Sequence, residues 1–223
     1  MFDKLELLIG DKVNILKNKT ILLIGLGGVG GYSLEGLLRS NIGTIIVIDS
    51  DKFDITNLNR QILATNKTID KYKVDIAEAR KNELNKETQI IKIKEFITEE
   101  NINILFNYDI DFVIDAIDTI KTKELIIKEC LKRKIKFISV MGTGNKLDAS
   151  KLEITNLSKT SYDRVAKIIR NDLKKENING KIKVVSSKEP IKNTNKVGSN
   201  AFVPAVAGLL AANYAVNELI KEK

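Results

Sequence analysis

Short apolar runs and amphipathic stretches take turns along this chain. Thr20–Gly25 (TILLIG), Thr44–Asp49 (TIIVID), Gln89–Lys94 (QIIKIK), Phe112–Ala116 (FVIDA) and Lys136–Val140 (KFISV) are brief and mostly β-branched, and predict buried strands. Between them Tyr32–Asn41, with Leu34, Leu37 and Leu38 on one face, and Lys73–Asn85 and Lys121–Lys132 predict helices. Strands alternating with helices imply right-handed crossovers and a mostly parallel sheet covered on both faces. Beyond Met141 the rhythm changes. Leu152–Leu157 alternates, Tyr162–Lys175 is helical, Ile182–Ser187 is strand-like, and Lys188–Ser199 is a polar, Lys-rich loop or lid. Ala201–Val216 is the most apolar stretch, shorter than the roughly 20 residues that span a bilayer, so a buried core helix is expected and no stable membrane association. The expected fold is α/β, Rossmann-like and doubly wound, a single domain over 1–223 with its core in 1–150 and a C-terminal elaboration in 151–223.

Charge adds an asymmetry to this picture. The chain of 223 residues carries 37 Lys and Arg against 29 Asp and Glu. Residues 1–150 are nearly balanced, whereas 151–223 hold fourteen basic side chains against seven acidic ones. Such a surface fits a polyanionic partner, since Lys and Arg release condensed counterions when they meet phosphates; it also fits a merely soluble, Lys-rich face. Histidine is absent, which excludes a Ser-His-Asp triad, an imidazole base and a His-ligated metal. The single cysteine, Cys130, forms no intrachain disulfide and no Cys-only zinc site, and in a helical stretch it is expected to be packed. The N-terminus has mixed charge and no signal-peptide run, so a reducing, cytoplasmic setting is expected.

The chemistry begins after the first strand. Gly25-Leu26-Gly27-Gly28-Val29-Gly30 satisfies G-x-G-x-x-G between a strand and a helix. Glycines there let backbone approach phosphates while a helix N-terminus stabilises the anion; the same turn also serves plain strand–helix packing. Asp49 ends the next strand nineteen residues after Gly30, placed to accept from a ribose hydroxyl. This supports a nucleotide without separating a dinucleotide from ATP. The next segment, Ile48 to Gln61 (IDSDKFDITNLNRQ), does separate them, because Asn57, Arg60 and the later Lys73 have no obvious use behind a nicotinamide ribose. Arg60 and Lys73 suit a triphosphate, and Asp118, after the fourth strand, suits Mg²⁺ beside the same phosphates.

GLGGVGG, IDSDKFDITNLNRQ, Lys73 and VIDAID together resemble the ThiF/MoeB-type adenylating fold shared with ubiquitin-activating enzymes. That resemblance spans nearly the whole chain. It implies ATP as cofactor, with Gly25, Gly27, Gly28 and Gly30 forming the phosphate turn and Asp49 on the ribose. Asp51, Asn57, Arg60, Gln61 and Lys73 would surround the phosphates, Asp118 would sit near Mg²⁺, and Arg60, Lys73 and Asp118 would be the catalytic set. Attack of a carboxylate on the α-phosphorus needs positioning and charge neutralisation more than a strong base, so the absence of histidine is no handicap.

Which carboxylate is activated follows from finer motifs. Many members that adenylate a ubiquitin-like sulfur carrier hold two CxxC pairs, which this chain lacks. The C-terminal third instead resembles the tRNA threonylcarbamoyladenosine dehydratase (TcdA) family. Gly142–Asp148 (GTGNKLD), Leu157–Thr160 with Asp163 and Arg170, Ser187–Glu189, and Gly198–Pro204 (GSNAFVP) follow that family's order. Arg164 stands where the family usually has Pro, and Lys4 is the best match to an Arg thought to reach across a dimer. The resemblance implies cyclisation of a threonyl carboxylate on tRNA through an acyl adenylate, in a homodimer, with a sulfurtransferase-type partner also conceivable. Lys159, Thr160, Arg170, Lys174 and Lys175 would face the tRNA, joined by the basic Lys181, Lys183, Lys188 and Lys192. A sulfur-carrier adenylyltransferase and a non-catalytic nucleotide-binding scaffold are the alternatives.

Overall fold

The computed structural model describes residues 2–190 and 196–221. Its strands are β1 (Thr20–Ile24), β2 (Thr44–Ile48), β3 (Gln89–Ile93), β4 (Phe112–Asp115), β5 (Lys136–Val140), β6 (Leu152–Asn156) and β7 (Lys183–Ser187). They form one seven-stranded sheet in the order β3-β2-β1-β4-β5-β7-β6. Every pairing is parallel except the edge pair β6–β7. The expected α/β, doubly wound fold is therefore the one observed, and the two C-terminal strands extend the same sheet. The chain runs outward from β1 to β3 on one side and resumes at β4 on the other. A crevice opens at that reversal, beyond the C-terminal ends of β1 and β4.

Strand pleat sorts the core into two layers. Ile21 and Leu23 of β1 face one side with the helices α3 (Gly30–Leu38), α4 (Lys73–Leu84) and α7 (Phe202–Ile220). Leu22 and Ile24 face the other with α5 (Ile120–Arg133) and α6 (Arg164–Lys175). Cys130 lies fully buried in this second layer, and burial pushes its thiol far above the ordinary range, so a reactive thiolate is disfavoured.

The apolar C-terminal stretch is α7, 19 residues long and half buried, which is long and apolar enough to cross a membrane by length and composition. Here it packs across the sheet, burying Val203, Ala207, Ala211, Ala215 and Leu219. Small residues let it approach α3 closely: a Cβ built on Gly36 would touch Ala212 Cβ at 3.3 Å, and Ser33 Oγ donates to Gly208 O at 2.9 Å. Two helices were not legible in the pattern, α1 (Asp3–Ile9) and α2 (Lys12–Lys17), separated at Gly10 with φ 63°. Only α2 buries side chains, Val13 and Leu16; α1 buries none and presents Leu7 and Leu8, each 80% exposed.

A Cβ at Gly208 would fall inside the Val29 carbonyl. Gly208→Ala should therefore destabilise by about 1–3 kcal/mol through overpacking at the α3–α7 crossing, read as a lowered melting temperature. An unchanged melt would mean the crossing is looser than described.

Candidate active site

Gly25 leaves β1 with φ 90°, a conformation suited to glycine, and a Cβ there would lie 3.0 Å from Ala116 O. Its N–H donates to Ile48 O at 2.8 Å, so the first turn is tied to the end of β2. Gly28 also needs to be small, because an added Cβ would come within 3.3 Å of Pro204 and 3.4 Å of Arg60. Gly30 instead packs on the Gly25 carbonyl where α3 starts, and it stands outside the cavity lining.

Asp49 is the junction. Its Oδ2 accepts from Leu26 N at 2.7 Å, and its Oδ1 accepts from Asp51 N at 2.9 Å. Lys73 Nζ lies 3.7 Å from Asp49 Oδ1 and 2.9 Å from Asp51 Oδ2, its own side chain only 7% exposed. Each Asp49 oxygen keeps acceptor capacity for a ligand hydroxyl. Burial raises the Asp49 pKa, opposed by Lys73 and the two N–H donors.

The next loop is preset by its own side chains. Asp54 accepts from Thr56 N at 2.8 Å while Asp54 N donates to Asn57 Oδ1 at 3.2 Å, a reciprocal cap over Ile55–Asn57. Arg60 Nη1 donates to Thr56 O at 2.8 Å and Asn59 Oδ1 at 2.9 Å. It has no carboxylate partner among the described residues, so its charge faces the cavity uncompensated. Gln61 Oε1 is buried without a hydrogen-bond partner, an acceptor in search of a donor.

Together these groups line a cleft of about 1150 Å³. Of the residues expected at the nucleotide, Gly25, Gly27, Gly28, Asp49, Asp51, Asn57, Arg60, Gln61, Lys73 and Asp118 all face it. Asp118 is an exposed carboxylate just past β4. Among the described residues no group of three or more His, Cys, Asp or Glu is placed to hold a metal alone. One carboxylate beside Arg60 and Lys73 is a donor set that would fit a Mg²⁺ ion carried on a nucleotide's own phosphates.

Sequence reading missed the support beneath Asp118. Asp115, at the end of β4, is fully buried and accepts from Lys123 Nζ at 2.8 Å and Ser139 Oγ at 2.5 Å. Lys123 is 1% exposed on α5 and also reaches Ser139 Oγ at 3.3 Å. This pair brackets Ala116–Thr119, so the loop bearing Asp118 is held at both ends. An aspartate within an apolar strand was the available signal.

C-terminal residues close the far wall. Asn145 N donates to Gly198 O at 2.8 Å and Gly198 N returns to Asn145 Oδ1 at 2.6 Å. Asn200 caps α7 by accepting from Val203 N at 2.9 Å, and Asn59 Nδ2 donates to Ser199 O at 3.1 Å. Glu189 accepts from Leu147 N at 2.9 Å and Asp148 N at 2.9 Å. Asp163 caps α6 through Ala166 N at 3.0 Å, leaving Arg164 at the first helical position, where proline is equally at home. Thr160 and Arg170 brace one another, Arg170 Nη1 donating to Thr160 Oγ1 at 2.7 Å. They line a second, smaller cavity, whereas Lys159, Lys174 and Lys175 line neither; Lys175 pairs with Asp172 and Lys188 with Glu153. Lys192 and much of the expected 188–199 loop lie outside the described residues.

The sheet reversal, glycine turn, buried acceptor and clustered cations define an α/β nucleotide-binding protein. A family model matching residues 4–223 is more specific: the chain belongs to the ThiF family. It is 42% identical over 241 residues to the tRNA threonylcarbamoyladenosine dehydratase of Bacillus subtilis (strain 168), covering 99% of this chain and 95% of that protein. It is similar to the crystal structure of the E. coli tRNA N6-threonylcarbamoyladenosine dehydratase with ATP, at TM-score 0.94 and 29% identity over 99% of this chain and 94% of the other. The same E. coli enzyme with AMP superposes at TM-score 0.90 and 28% identity, covering 96% and 90%.

Because the folded pKa of Asp49 is raised above its ordinary 3.8, its titration contributes stability below that value and loses it as pH rises through the folded pKa. Ligand-free Asp49→Asn escapes that titration but keeps one acceptor for two backbone N–H donors and removes the charge facing Lys73. It should therefore melt below wild type at pH 7, the gap widening as pH falls through the folded pKa, while ATP affinity falls. An unchanged melt at pH 7 would mean that neither N–H depends on the carboxylate.

Proposed function

We propose that this protein is an ATP-dependent tRNA threonylcarbamoyladenosine dehydratase. The observation that carries the reading is the single cleft in which the glycine turn, Asp49, Arg60, Lys73 and Asp118 converge, on a fold shared with E. coli dehydratase structures holding ATP and AMP. Asp49 and the unpartnered Gln61 Oε1 receive donors on the nucleoside. Arg60 and Lys73 neutralise the phosphates, Lys73 turning to them from Asp51. Asp118 would hold a phosphate-borne Mg²⁺, whose chemistry there would be to neutralise charge developing on the pyrophosphate.

The reaction runs in two displacements. An oxygen of the threonyl carboxylate attacks the α-phosphorus, and the bond to pyrophosphate breaks. A nucleophile of the same threonylcarbamoyl group then attacks the activated carbonyl carbon and loses its proton. AMP departs with one former carboxylate oxygen, which is the water formally lost. Intramolecular attack needs no enzyme thiol, in keeping with inert Cys130.

The nucleotide site draws mainly on 1–150 and the tRNA face on 151–223. Exposed Leu7 and Leu8 support a homodimer through α1, which would carry Lys4 toward the partner. A cytoplasmic setting suits a tRNA substrate. No surface among the described residues singles out a sulfurtransferase-type partner.

Incubation with ATP, Mg²⁺ and bulk tRNA, then digestion to nucleosides, should convert threonylcarbamoyladenosine to a product lighter by one water. Unchanged nucleosides alongside pyrophosphate exchange driven by a ubiquitin-like carrier would overturn the reading. Arg60→Ala and Asp118→Ala should each lower turnover by about 10²-fold or more. Neither side chain is buried, so both variants should melt within about 0.5 kcal/mol of wild type.

A further inference from the structure

Tyr162 is an anomaly outside the nucleotide cleft. Its φ is 55°, a left-handed conformation that costs a bulky residue energy, yet its side chain returns little by burial, since the residue is 61% exposed. The backbone is fixed from the Tyr162 carbonyl onward. Lys146, 3% exposed, donates from Nζ to Tyr162 O at 3.0 Å and also to Glu189 O. The next residue, Asp163, caps α6 and accepts from Ser186 Oγ at 3.2 Å. The ring is thus held out in solvent by buried polar anchors.

Cations follow it along one face. Opposite the buried Ala166, Ile169 and Leu173, α6 exposes Arg164, Lys167 and Lys174. Among the described residues none of these three has a carboxylate partner, whereas Lys128 and Lys175 nearby are paired with Glu176 and Asp172. Tyr162, Arg164 and Lys167 line the second cavity, about 570 Å³ in volume. It adjoins the nucleotide cleft: Val165, between Arg164 and the buried Ala166, lines that cleft, and a Cβ on Gly142 would touch Val165 at 3.4 Å and Asp163 at 3.5 Å.

We propose that Tyr162, Arg164 and Lys167 form a single-stranded RNA subsite, in which a base neighbouring the reacting nucleotide stacks on the Tyr162 ring while its phosphates lie against Arg164 and Lys167. The subsite rests on tRNA being the substrate and adds the residues that read the loop. An exposed aromatic on an anchored backbone, beside cations without a carboxylate partner among the described residues, matches the chemistry of unstacked RNA, whose bases have faces and whose backbone has charge. An acidic peptide would use the cations and leave the ring idle.

The test measures steady-state kinetics on tRNA bearing threonylcarbamoyladenosine, with melting curves, for the full-length protein. Tyr162→Ala and Tyr162→Gly should raise KM for tRNA at least about fivefold, and Tyr162→Phe and Tyr162→Trp should stay near wild type, since stacking needs only the ring. KM for ATP should not move. Tyr162→Gly should melt at or above wild type, because glycine takes the left-handed conformation without cost. Arg164→Ala with Lys167→Ala should flatten the dependence of log Kd on log salt by about 0.7 for each phosphate no longer neutralised. Wild-type KM in both Tyr162→Ala and Tyr162→Gly overturns the subsite, as does a loss that Phe does not restore or that extends equally to ATP. Carrier-driven pyrophosphate exchange lost in Tyr162→Ala would assign the surface to a protein instead. Wild-type protein that leaves tRNA unaltered overturns the underlying reading and the subsite together.

Discussion

The carboxylate of Asp49 organises the nucleotide cleft. Its two oxygens hold the backbone of the glycine turn through Leu26 N and the start of the next loop through Asp51 N, and its charge holds Lys73. One group therefore fixes the glycine turn, the loop that begins at Asp51 and the Lys73 ammonium relative to each other. Keeping it ionised while its side chain is 9% exposed carries a desolvation cost, offset by Lys73 and the N–H donors. Such a site is preorganised before the ligand arrives, which is where electrostatic catalysis derives its advantage.

The opposite wall is built by the C-terminal third. Asn145 with Gly198, Glu189 with Leu147, and Asn200 with the Lys146 carbonyl cross-link loops that are distant in sequence, and Asn59 ties that network to the arginine loop through Ser199. The charge excess of 151–223 is thus attached to a surface that shares a boundary with the cleft. On α6 the division is by face: one side enters the core, and the other presents Arg164, Lys167 and Lys174, which have no carboxylate partner among the described residues.

Much of this was legible beforehand because the strands are five or fewer apolar, β-branched residues between clear helical periods, a pattern with few competing readings. The convergence of Asp49, Arg60, Lys73 and Asp118 on one cleft was legible for a related reason, since they sit at or just past strand ends where topology gathers them. Helices α1 and α2 were hidden by their brevity and by a scarcity of buried positions. The Asp115–Lys123 pair was hidden because it joins a strand to a helix eight residues later, across a loop whose conformation no local pattern specifies. Thr160 and Arg170 were marked by family likeness as facing the tRNA; their mutual hydrogen bonds show a bracing role that a one-dimensional motif does not express. Tyr162 reads in the sequence as the first residue of a helix that instead starts at Arg164, and only its backbone angle and exposure distinguish it.

The central chemical claim is that the cleft activates a carboxylate at the α-phosphorus. The most direct measurement follows oxygen. With tRNA whose threonylcarbamoyladenosine carries ¹⁸O in both carboxylate oxygens, adenylation predicts one ¹⁸O in the AMP released and none in pyrophosphate. Label in inorganic phosphate, with ADP as the nucleotide product, would contradict it.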